Sequence, residues 1–347
     1  MHTTQAWQSN GTSTALEKTT IERRDPRNDD ITIRIDYCGV CHSDLHAIHG
    51  STGKPTEGLV PGHEFTGIVT AVGSAVTRFV PGDRVAAGTI VDSCGECAMC
   101  QGGQENFCYE VATYTYGGKD RVDGSVTKGG YSREYVLRDK FAYHLPAALD
   151  PAAAAPLMCA GITMWEPMRT AGVGAGSKVA VAGLGGLGHL GVKLAAALGA
   201  EVTVLSRTPG KADDAARLGA TDLVVTTDEQ QLKQASGRFD LILDTIAAPH
   251  DLTQLLRLLA FEGTLSVLGL PLPTEVPLME LTFGRKNLSS SGTGGTRLTA
   301  ELLTFCAEHD ITADIELLPS TQVEEALGRL EKGDVRYRFV LDLADLD

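Results

Sequence analysis

The sequence predicts an α/β protein in which a β-rich first domain is followed by a doubly wound parallel sheet. Two observations indicate this class. Short β-prone runs broken by Gly, Pro and Asp occupy residues 31–145. From Lys178 onwards, short apolar runs alternate with helix-like stretches of about ten to fifteen residues, which is typical of parallel sheets with right-handed crossovers. The expected domains are residues 1–155, residues 156–290 and a closing segment, 291–347.

The first domain is expected to be compact and barrel-like, because several short strands are separated by turn residues. The runs that predict strands are ITIRIDYCGV, FTGIVTAVG, DRVAAGTIV and YSREYVLR. After Pro146 an Ala-rich stretch, residues 151–160, predicts a helix.

The second domain shows strand and helix patterns in turn. Its predicted strands are KVAVAGL, EVTVLS, DLVVTT, FDLILDTI and GTLSVLG, and its predicted helices are GHLGVKLAAALGA, GKADDAARLGA and a segment around residues 252–259. The alternation ends near NLSSSGTGG. Two further helices, near residues 299–309 and 323–332, and a final strand, YRFVLDL, then close the chain.

The charge of the chain excludes some partners. Among 347 residues, 30 Lys and Arg stand against 44 Asp and Glu, a net charge of −14. No basic block offsets this excess, so nucleic acid and anionic membrane surfaces are not expected as partners. Residues 179–192 are too short and too rich in Gly to span a membrane. The N-terminus carries no secretory pattern, so we expect a cytoplasmic protein with reduced thiols.

A glycine-rich turn predicts a dinucleotide site. In KVAVAGLGGLG an apolar run leads into three glycines with GxGxxG spacing and then into a helix. Glycine is needed there for the tight turn, for the approach of a pyrophosphate to the backbone and for helix–strand packing. The alternative is an ordinary turn-rich loop. The predicted cofactor-binding residues of this turn are Gly183, Leu184, Gly185, Gly186, Leu187 and Gly188.

The end of the following strand indicates which dinucleotide binds. An acidic residue at this place would bind the ribose 2′-OH of NAD. The chain instead has Ser206, Arg207 and, a few residues on, Lys211. A hydroxyl and two cations suit a 2′-phosphate, so NADP(H) is favoured over NAD(H). Alternatively, the two cations merely begin a helix.

Four cysteines within fifteen residues predict a structural zinc site. They are Cys94, Cys97, Cys100 and Cys108. Four thiolates satisfy a tetrahedral Zn²⁺ and leave no open position for chemistry. Disulfides or inert thiols are the alternative, which a reducing compartment disfavours.

A second, dispersed set of residues predicts a metal site with an open position. It comprises Cys41, His63 with the adjacent Glu64, and Cys159. Taken singly, each has an ordinary interpretation as a core residue. Together, two thiolates and an imidazole leave a fourth zinc position for water or substrate. Asp44 is expected to orient His63 through its other ring nitrogen.

These motifs carry a family resemblance. CGVCHSDLH, GLVPGHEFTGIV, CGECAMCQGGQENFC, CAGIT, GLGGLGHLGVKLA and DVRYRFVLD resemble the zinc-containing medium-chain alcohol dehydrogenases, closest to the cinnamyl alcohol dehydrogenase branch. The resemblance extends from about residue 31 to the C-terminus. It implies a GroES-like β domain that holds both zincs and is interrupted by a Rossmann domain, so that the closing segment returns to the first domain.

The resemblance also implies site roles. Cys41, His63 and Cys159 would hold the catalytic zinc, with Glu64 as a fourth or alternating ligand. Ser43 would contact the substrate oxygen, and His46 would link it to solvent through the cofactor ribose. The further cofactor positions implied are Thr163 and Ile246 at the nicotinamide, His42 and Arg338 near the pyrophosphate, and Gly292 in the segment that crosses back.

Three departures leave the substrate open: Trp165 in place of the family's Tyr, the segment GTGGTR, and YEVATYTYGG after Cys108. The expected activity is reversible hydride transfer between NADP(H) and a primary alcohol/aldehyde pair, with aromatic or medium-sized aldehydes as substrates. An NAD-dependent polyol or secondary-alcohol dehydrogenase of the same fold is the first alternative. A non-catalytic NADPH- or redox-sensing zinc protein is the second. The family resemblance suggests a homodimer or homotetramer.

Overall fold

The computed structural model describes residues 2–50, 54–269, 275–276 and 278–347. The chain divides into two compact units. The first comprises Met1–Cys159 and Gly295–Asp347, and the second comprises Ala160–Gly294. These divisions lie within four residues of the domain limits drawn from the sequence.

The strands of the described residues, numbered in chain order, are β1 (His2–Ser9), β2 (Leu16–Arg23), β3 (Asp30–Val40), β4 (Phe65–Val72), β5 (Arg84–Ala87), β6 (Ile90–Asp92), β7 (Thr113–Tyr114), β8 (Glu134–Arg138), β9 (Ala142–His144), β10 (Lys178–Ala182), β11 (Glu201–Ser206), β12 (Asp222–Val225), β13 (Phe239–Asp244), β14 (Leu259–Val267), β15 (Asn287–Ser290), β16 (Ile315–Pro319) and β17 (Arg338–Asp342).

The helices of the same residues are α1 (His42–His49), α2 (Ala98–Gln101), α3 (Pro151–Ala154), α4 (Ala160–Thr170), α5 (Gly188–Ala197), α6 (Ala212–Leu218), α7 (Glu229–Gln234), α8 (Leu252–Leu258), α9 (Leu278–Thr282), α10 (Thr296–Glu308) and α11 (Val323–Glu331). Short 3₁₀ turns occur at Glu105–Phe107, Asp139–Phe141, Ala155–Met158, Pro209–Lys211, Ser320–Gln322 and Ala344–Leu346.

The first unit is built on a seven-stranded sheet whose order is β16-β17-β3-β4-β5-β9, with β8 paired to β3. Strand β3 is its centre, since it pairs antiparallel with β17, β4 and β8. Ile31, Ile33 and Ile35 of β3 are fully buried and belong to the main core cluster. This arrangement matters for function because the carboxyl end of β3 leads directly to Cys41.

An N-terminal hairpin precedes residues 31–145, the stretch that the sequence predicts to be β-rich. Strands β1 and β2 pair antiparallel, from His2 opposite Arg23 to Ser9 opposite Leu16. Strand β1 reads HTTQAWQS, in which Ala6 and Trp7 are the only apolar residues. Too few apolar residues alternate there to mark a strand from sequence. The predicted run DRVAAGTIV also forms two strands, β5 and β6, rather than one.

The second unit contains a six-stranded parallel sheet in the order β12-β11-β10-β13-β14-β15. The chain enters at β10, moves outward through β11 and β12, and then crosses back to β13 on the other side of β10. The strand order therefore reverses between β10 and β13. In doubly wound sheets this switch point, at the carboxyl ends of the strands, is where a dinucleotide lies.

Helices close to those predicted follow in the C-terminal part: α10 begins three residues before the expected start, and α11 begins at Val323 as expected. No described helix has both the length and the hydropathy needed to cross a membrane.

Candidate metal and cofactor sites

Three strand ends of the first unit converge on one point. In the sheet register Phe339 of β17 lies opposite Val40 of β3, and Phe65 of β4 lies opposite Cys38. The residues just beyond these pairs, Cys41, Glu64 and Arg338, are thereby brought together although they are far apart in sequence. The backbone N–H of Gly39 donates to the carbonyl of Glu64 over 2.9 Å and holds the strands at this end.

Cys41, His63 and Cys159 form a compact, buried group of potential ligands. One ligand atom from each lies within 4.8 Å of the others. The two sulfur atoms are 3.9 Å apart, and His63 Nε2 lies 3.2 Å from the sulfur of Cys159. The hydrogen bond between the thiols lowers the pKa of Cys41 and raises that of Cys159, where burial adds to the rise. Two soft sulfurs and one imidazole fit a zinc ion that keeps an open position.

Asp44 contacts this ligand group and the backbone beside it through both of its carboxylate oxygens. Its Oδ1 faces His63 Nδ1 at 3.1 Å and accepts from the Gly62 N–H at 3.0 Å. Its Oδ2 accepts from the Cys41 N–H at 2.9 Å and from the hydroxyl of Tyr131 at 3.2 Å. Asp44 is the third residue of α1, so its bond to the N-cap residue also closes the start of that helix. The Asp44–His63 contact agrees with the expected orientation of the imidazole.

Glu64 and Arg338 form a buried ion pair beside the ligands, through Glu64 Oε1 and Arg338 Nη2. Burial raises the pKa of Glu64 to about 8, and the neighbouring guanidinium opposes that rise. Within the described part of the chain, Glu64 Oε2 is buried and has no hydrogen-bond partner. This oxygen is thus free to act as a ligand. Arg338 itself is only 3% exposed, held by Glu64 within the first unit.

Ser43 and His46 lie on α1 beside the ligands. The hydroxyl of Ser43 is 3.7 Å from the Cys41 sulfur. His46, one helical turn later, is exposed and lines a cavity of about 680 Å³. His42, at the first position of the same helix, is also exposed. Other residues that line the cavity are Ala47, His49, Gly50, Thr56, Leu59, Tyr116 and Gly117.

Tyr116 is a site residue that the sequence reasoning missed. Its ring packs edge-on against His63, with centroids 5.5 Å apart, and it also lines the cavity. Burial and the charge of Asp44 raise the pKa of its hydroxyl well above the ordinary value. Tyr109 and Tyr114, in the same segment, are exposed. No spacing in the sequence distinguishes Tyr116 from these two, so only the fold reveals it.

The four-cysteine loop brings its sulfur atoms together as expected from the spacing. The Sγ atoms of Cys94, Cys97, Cys100 and Cys108 all lie within 4.8 Å of one another. Hydrogen bonds from the backbone, that of Tyr109 first, lower the pKa of Cys97 to about 6, whereas burial raises that of Cys100 to about 12. A set of four thiolates in mutual contact fits a closed, tetrahedral zinc.

Two charged side chains support this loop. Arg121 Nη2 lies 3.8 Å from the Cys108 sulfur and also donates to the Glu110 carbonyl at 3.2 Å. Glu105, only 1% exposed, accepts from the backbone and the hydroxyl of Thr296 at the start of α10, at 2.8 and 2.9 Å. Lys140 pairs with the same carboxylate at 2.8 Å. The loop is therefore tied to the returning C-terminal segment.

In the second unit, the glycine turn follows β10 and leads into α5. Gly183 adopts φ +89°, in the left-handed region. A side chain at Gly188 would approach the Gly183 carbonyl oxygen to 2.0 Å, so this position has no room for one. At Gly185 a Cβ would meet open space. A strand, a bare backbone and a helix start in this order fit a pyrophosphate.

The carboxyl end of β11 carries no acidic residue. Ser206 is half-buried and accepts from the Thr208 N–H at 3.4 Å, and Arg207 is exposed. Lys211 donates to the Leu184 carbonyl at 2.8 Å, which ties it to the glycine turn. A hydroxyl and two cations that follow this strand, one of them tied to the turn, fit a ribose that carries a phosphate.

Two more predicted cofactor residues meet in this unit, where the Thr163 hydroxyl donates to the Gly292 carbonyl at 3.0 Å. Ile246 is the second residue after β13, and its N–H donates to Asp244 Oδ1 at 3.1 Å. Ile246 and Gly292 follow β13 and β15, two strands on the side of β10 opposite β11.

Comparison with known proteins agrees with this geometry. The Alcohol dehydrogenase GroES-like domain family matches residues 27–147, and the Zinc-binding dehydrogenase family matches residues 186–308. The NADP-dependent alcohol dehydrogenase C of Mycobacterium bovis is 46% identical over 347 residues and is covered completely, as is this chain. The Probable cinnamyl alcohol dehydrogenase 9 of Arabidopsis thaliana is 46% identical, over 98% of this chain and 94% of its own.

Solved structures lead to the same family. A cinnamyl alcohol dehydrogenase from Sorghum bicolor superimposes with a TM-score of 0.95 at 41% identity, over 100% of this chain and 99% of that one. The CAD from Helicobacter pylori, complexed with NADP(H), gives 0.91 at 32% identity over 98% of both chains. The fold and sites define a zinc-binding dehydrogenase with a GroES-like domain. The chain belongs to the zinc-containing medium-chain alcohol dehydrogenases, near the cinnamyl alcohol dehydrogenase branch.

Proposed function

We propose that this protein is a zinc-dependent, NADP(H)-linked oxidoreductase that interconverts a primary alcohol and its aldehyde. The observation that carries the proposal is the buried triad of Cys41, His63 and Cys159, three ligand atoms within 4.8 Å beside the Ser43 hydroxyl. Three ligands leave one zinc position for substrate. The names of relatives such as the NADP-dependent alcohol dehydrogenase C of Mycobacterium bovis support the same activity.

The residues of the chain have separate tasks in this proposal. Cys41, His63 and Cys159 would hold zinc as a Lewis acid for the substrate oxygen, and the glycine turn would hold NADP(H) as the hydride donor or acceptor. During alcohol oxidation, Ser43 Oγ would take the hydroxyl proton of the substrate and pass its own hydroxyl proton on toward His46. His46, exposed one turn later in α1, exchanges a proton with water. During aldehyde reduction the proton moves in the opposite direction.

Cofactor choice rests on the end of β11. Arg207 and Lys211 beside Ser206 would bind the 2′-phosphate of NADP(H), which supports NADP(H) over NAD(H). The solved relative with NADP(H) bound adds support. Within the first unit, the four-cysteine loop would hold a second zinc that does no chemistry.

Initial rates and metal content test the proposal. We expect two zincs per chain and turnover of a benzaldehyde-like substrate with NADPH much faster than with NADH. Cys41→Ala should lose one zinc and the activity together, whereas Cys306→Ala, a buried thiol outside both clusters, should keep both. Faster turnover of a polyol with NAD would support the alternative dehydrogenase. Full activity of Cys41→Ala would refute the assignment of the catalytic site.

For the assembly we propose a homodimer joined through the edge of the six-stranded sheet. Strand β15 ends the sheet, and all four of its residues are exposed. Phe261 and Phe283 of the same unit are 68% and 70% exposed. An unpaired edge flanked by apolar side chains favours strand addition by a second copy. Light scattering of the wild type and of Leu288→Lys tests this: a dimer that becomes monomeric supports it, and a wild-type monomer contradicts it.

We place the protein in the cytoplasm. The eight cysteines, all among the described residues, form no disulfide, and six of them belong to the two proposed zinc sites, which require reduced sulfur. Cell fractionation with a tagged chain tests this location, and recovery with secreted protein would contradict it.

A further inference from the structure

The segment that follows β13 is held by side-chain hydrogen bonds at both of its ends. At its start, the Thr245 hydroxyl lies 2.8 Å from the Ala182 carbonyl and 3.1 Å from that of Gly183. These two acceptors belong to the end of β10 and the first glycine of the turn. At the other end of the segment, His250 reaches back to the strand. Residues 245–250 therefore form a short arch beside the glycine turn, defined here as the β13 arch.

His250 makes two contacts that together fix its protons. Its Nδ1 lies 2.9 Å from the Ala248 carbonyl oxygen, and its Nε2 lies 2.9 Å from Asp244 Oδ2. A carbonyl oxygen only accepts, so Nδ1 carries a proton. A second proton lies between Nε2 and Oδ2, whichever of the two atoms holds it. The ring thus bridges the arch to the end of β13 with two hydrogen bonds.

The partner carboxylate is well suited to hold the arch. Asp244 has no exposed surface, and its Oδ1 accepts from the Ile246 N–H at 3.1 Å. One buried carboxylate therefore binds both the second and the last residue of the arch. The backbone packs closely here as well, since a side chain at Gly269 would meet the Ile246 carbonyl oxygen at 2.4 Å. Without His250, the last contact between Asp244 and the end of the arch would be lost.

The position of the arch in the sheet indicates which half of a bound dinucleotide would lie beside it. Strands β11 and β13 flank β10 on opposite sides, and the glycine turn follows β10. The cations proposed for the 2′-phosphate follow β11, so the adenosine half lies on that side. A dinucleotide crosses the switch point between the two sides. Its nicotinamide half must then extend toward β13 and the arch.

We propose that His250 is a positioning residue for the nicotinamide half of the cofactor, acting through Asp244 on the β13 arch. This inference rests on the proposed NADP(H) function. The proposed zinc ligands belong to the other unit. The role is to hold the arch in the shape that accepts the nicotinamide and not to transfer a proton to substrate.

Binding of two ligands tests the inference without catalysis. NADPH spans both halves of the site, whereas adenosine 2′,5′-bisphosphate occupies the adenosine half alone. For His250→Ala we expect the Kd of NADPH to rise about tenfold, with the Kd of the bisphosphate changed less than twofold. Hydrogen exchange of the amides in residues 245–250 should become faster. His144→Ala, which removes an exposed histidine of the first unit, is the matched control and should change neither Kd.

The other outcomes are decisive as well. Equal weakening of both ligands would indicate a general structural role and overturn the inference, and an unchanged NADPH affinity would overturn it directly. If His250→Ala does not fold, His250→Gln is measured by the same criteria, since its amide can still donate to Asp244 but cannot bridge both acceptors. A wild-type chain that binds the bisphosphate but not NADPH would contradict the proposed function itself. In that case hydrogen exchange of residues 245–250 still decides whether His250 holds the arch: faster exchange in the variant supports this role, and unchanged exchange overturns it.

Discussion

Replacing Asp44 by Asn tests how the catalytic zinc site is held. Each Asp44 oxygen accepts one backbone N–H, that of Gly62 at 3.0 Å or that of Cys41 at 2.9 Å. The Asn amide turns one oxygen into a donor, so either orientation leaves one of these N–H groups facing another donor. The side chain has no exposed surface, and water cannot substitute. An unpaired buried donor costs about 1–3 kcal/mol.

The loss of negative charge adds to this effect, because His63 Nδ1 then lacks a charged partner at 3.1 Å. Together the two effects come to about 3 kcal/mol, or roughly 100-fold in zinc affinity. We expect Asp44→Asn to retain about one zinc per chain, in the four-cysteine loop, under chelator competition that leaves two in the wild type. Asp36→Asn is the control, because the Asp36 side chain pairs with Arg34 and Arg133 and, in the described part of the chain, with none of the proposed zinc ligands. Unchanged chelator midpoints at both sites would refute the reasoning.

Four further predictions concern other parts of the molecule. Tyr116→Leu should lower the ratio of kcat/KM for aromatic aldehydes to that for aliphatic aldehydes by about fivefold, because an aromatic contact contributes about 1 kcal/mol. Tyr116→Phe keeps the ring and should keep this ratio, so the same ratio in the two variants would contradict the prediction. Arg121→Met should release the structural zinc to a chelator several times faster, since the cation beside the Cys108 sulfur is lost, and an unchanged rate would count against it. Arg207→Ala should raise the KM for NADPH about fivefold and leave that for NADH unchanged; a parallel change would oppose the assignment. Burial acts to raise the pKa of Asp120, but hydrogen bonds, first those from Arg27, outweigh it and lower the pKa to about 2, so this carboxylate stabilises the fold above pH 4 and loses about 2 kcal/mol as the pH falls toward 2. The fall in the urea midpoint between about pH 5 and pH 2 should therefore be smaller for Asp120→Asn than for the wild type, and equal falls would contradict this.

The sequence predicted the parts of the site whose chemistry is local. The four cysteines lie within one loop, so their spacing was enough to predict that their sulfur atoms meet, and the glycine turn was predicted from its spacing together with the strand before it and the helix after it. The residue types in the dispersed triad suggested an open zinc, and the Asp44–His63 contact followed from the need to orient an imidazole. In each case a short-range chemical requirement restricts which residues can stand at those positions.

Contacts set by the sheet register could not be found in this way. Tyr131 reaches Asp44 from 87 positions away, and Arg338 reaches Glu64 across 274 positions. Nothing in the local pattern of either residue specifies its partner. The clamp between His250 and Asp244 spans only six positions, yet it was missed because a lone histidine near a helix start has an ordinary structural interpretation. The N-terminal hairpin was missed for a different reason, the scarcity of apolar residues in β1.

The return of the C-terminal segment explains how two buried carboxylates are tolerated in the first unit. Glu64, beside the catalytic ligands, is neutralised by Arg338 of β17, and Glu105, beside the four-cysteine loop, is bound by Thr296 at the start of α10. Removing one partner of a buried ion pair costs about 3–5 kcal/mol because the other charge remains buried. Both metal sites therefore depend on residues that follow the second unit in the chain. Because residues 295–347 share one compact unit with Met1–Cys159, the cofactor unit is an insertion into a domain that the end of the chain completes.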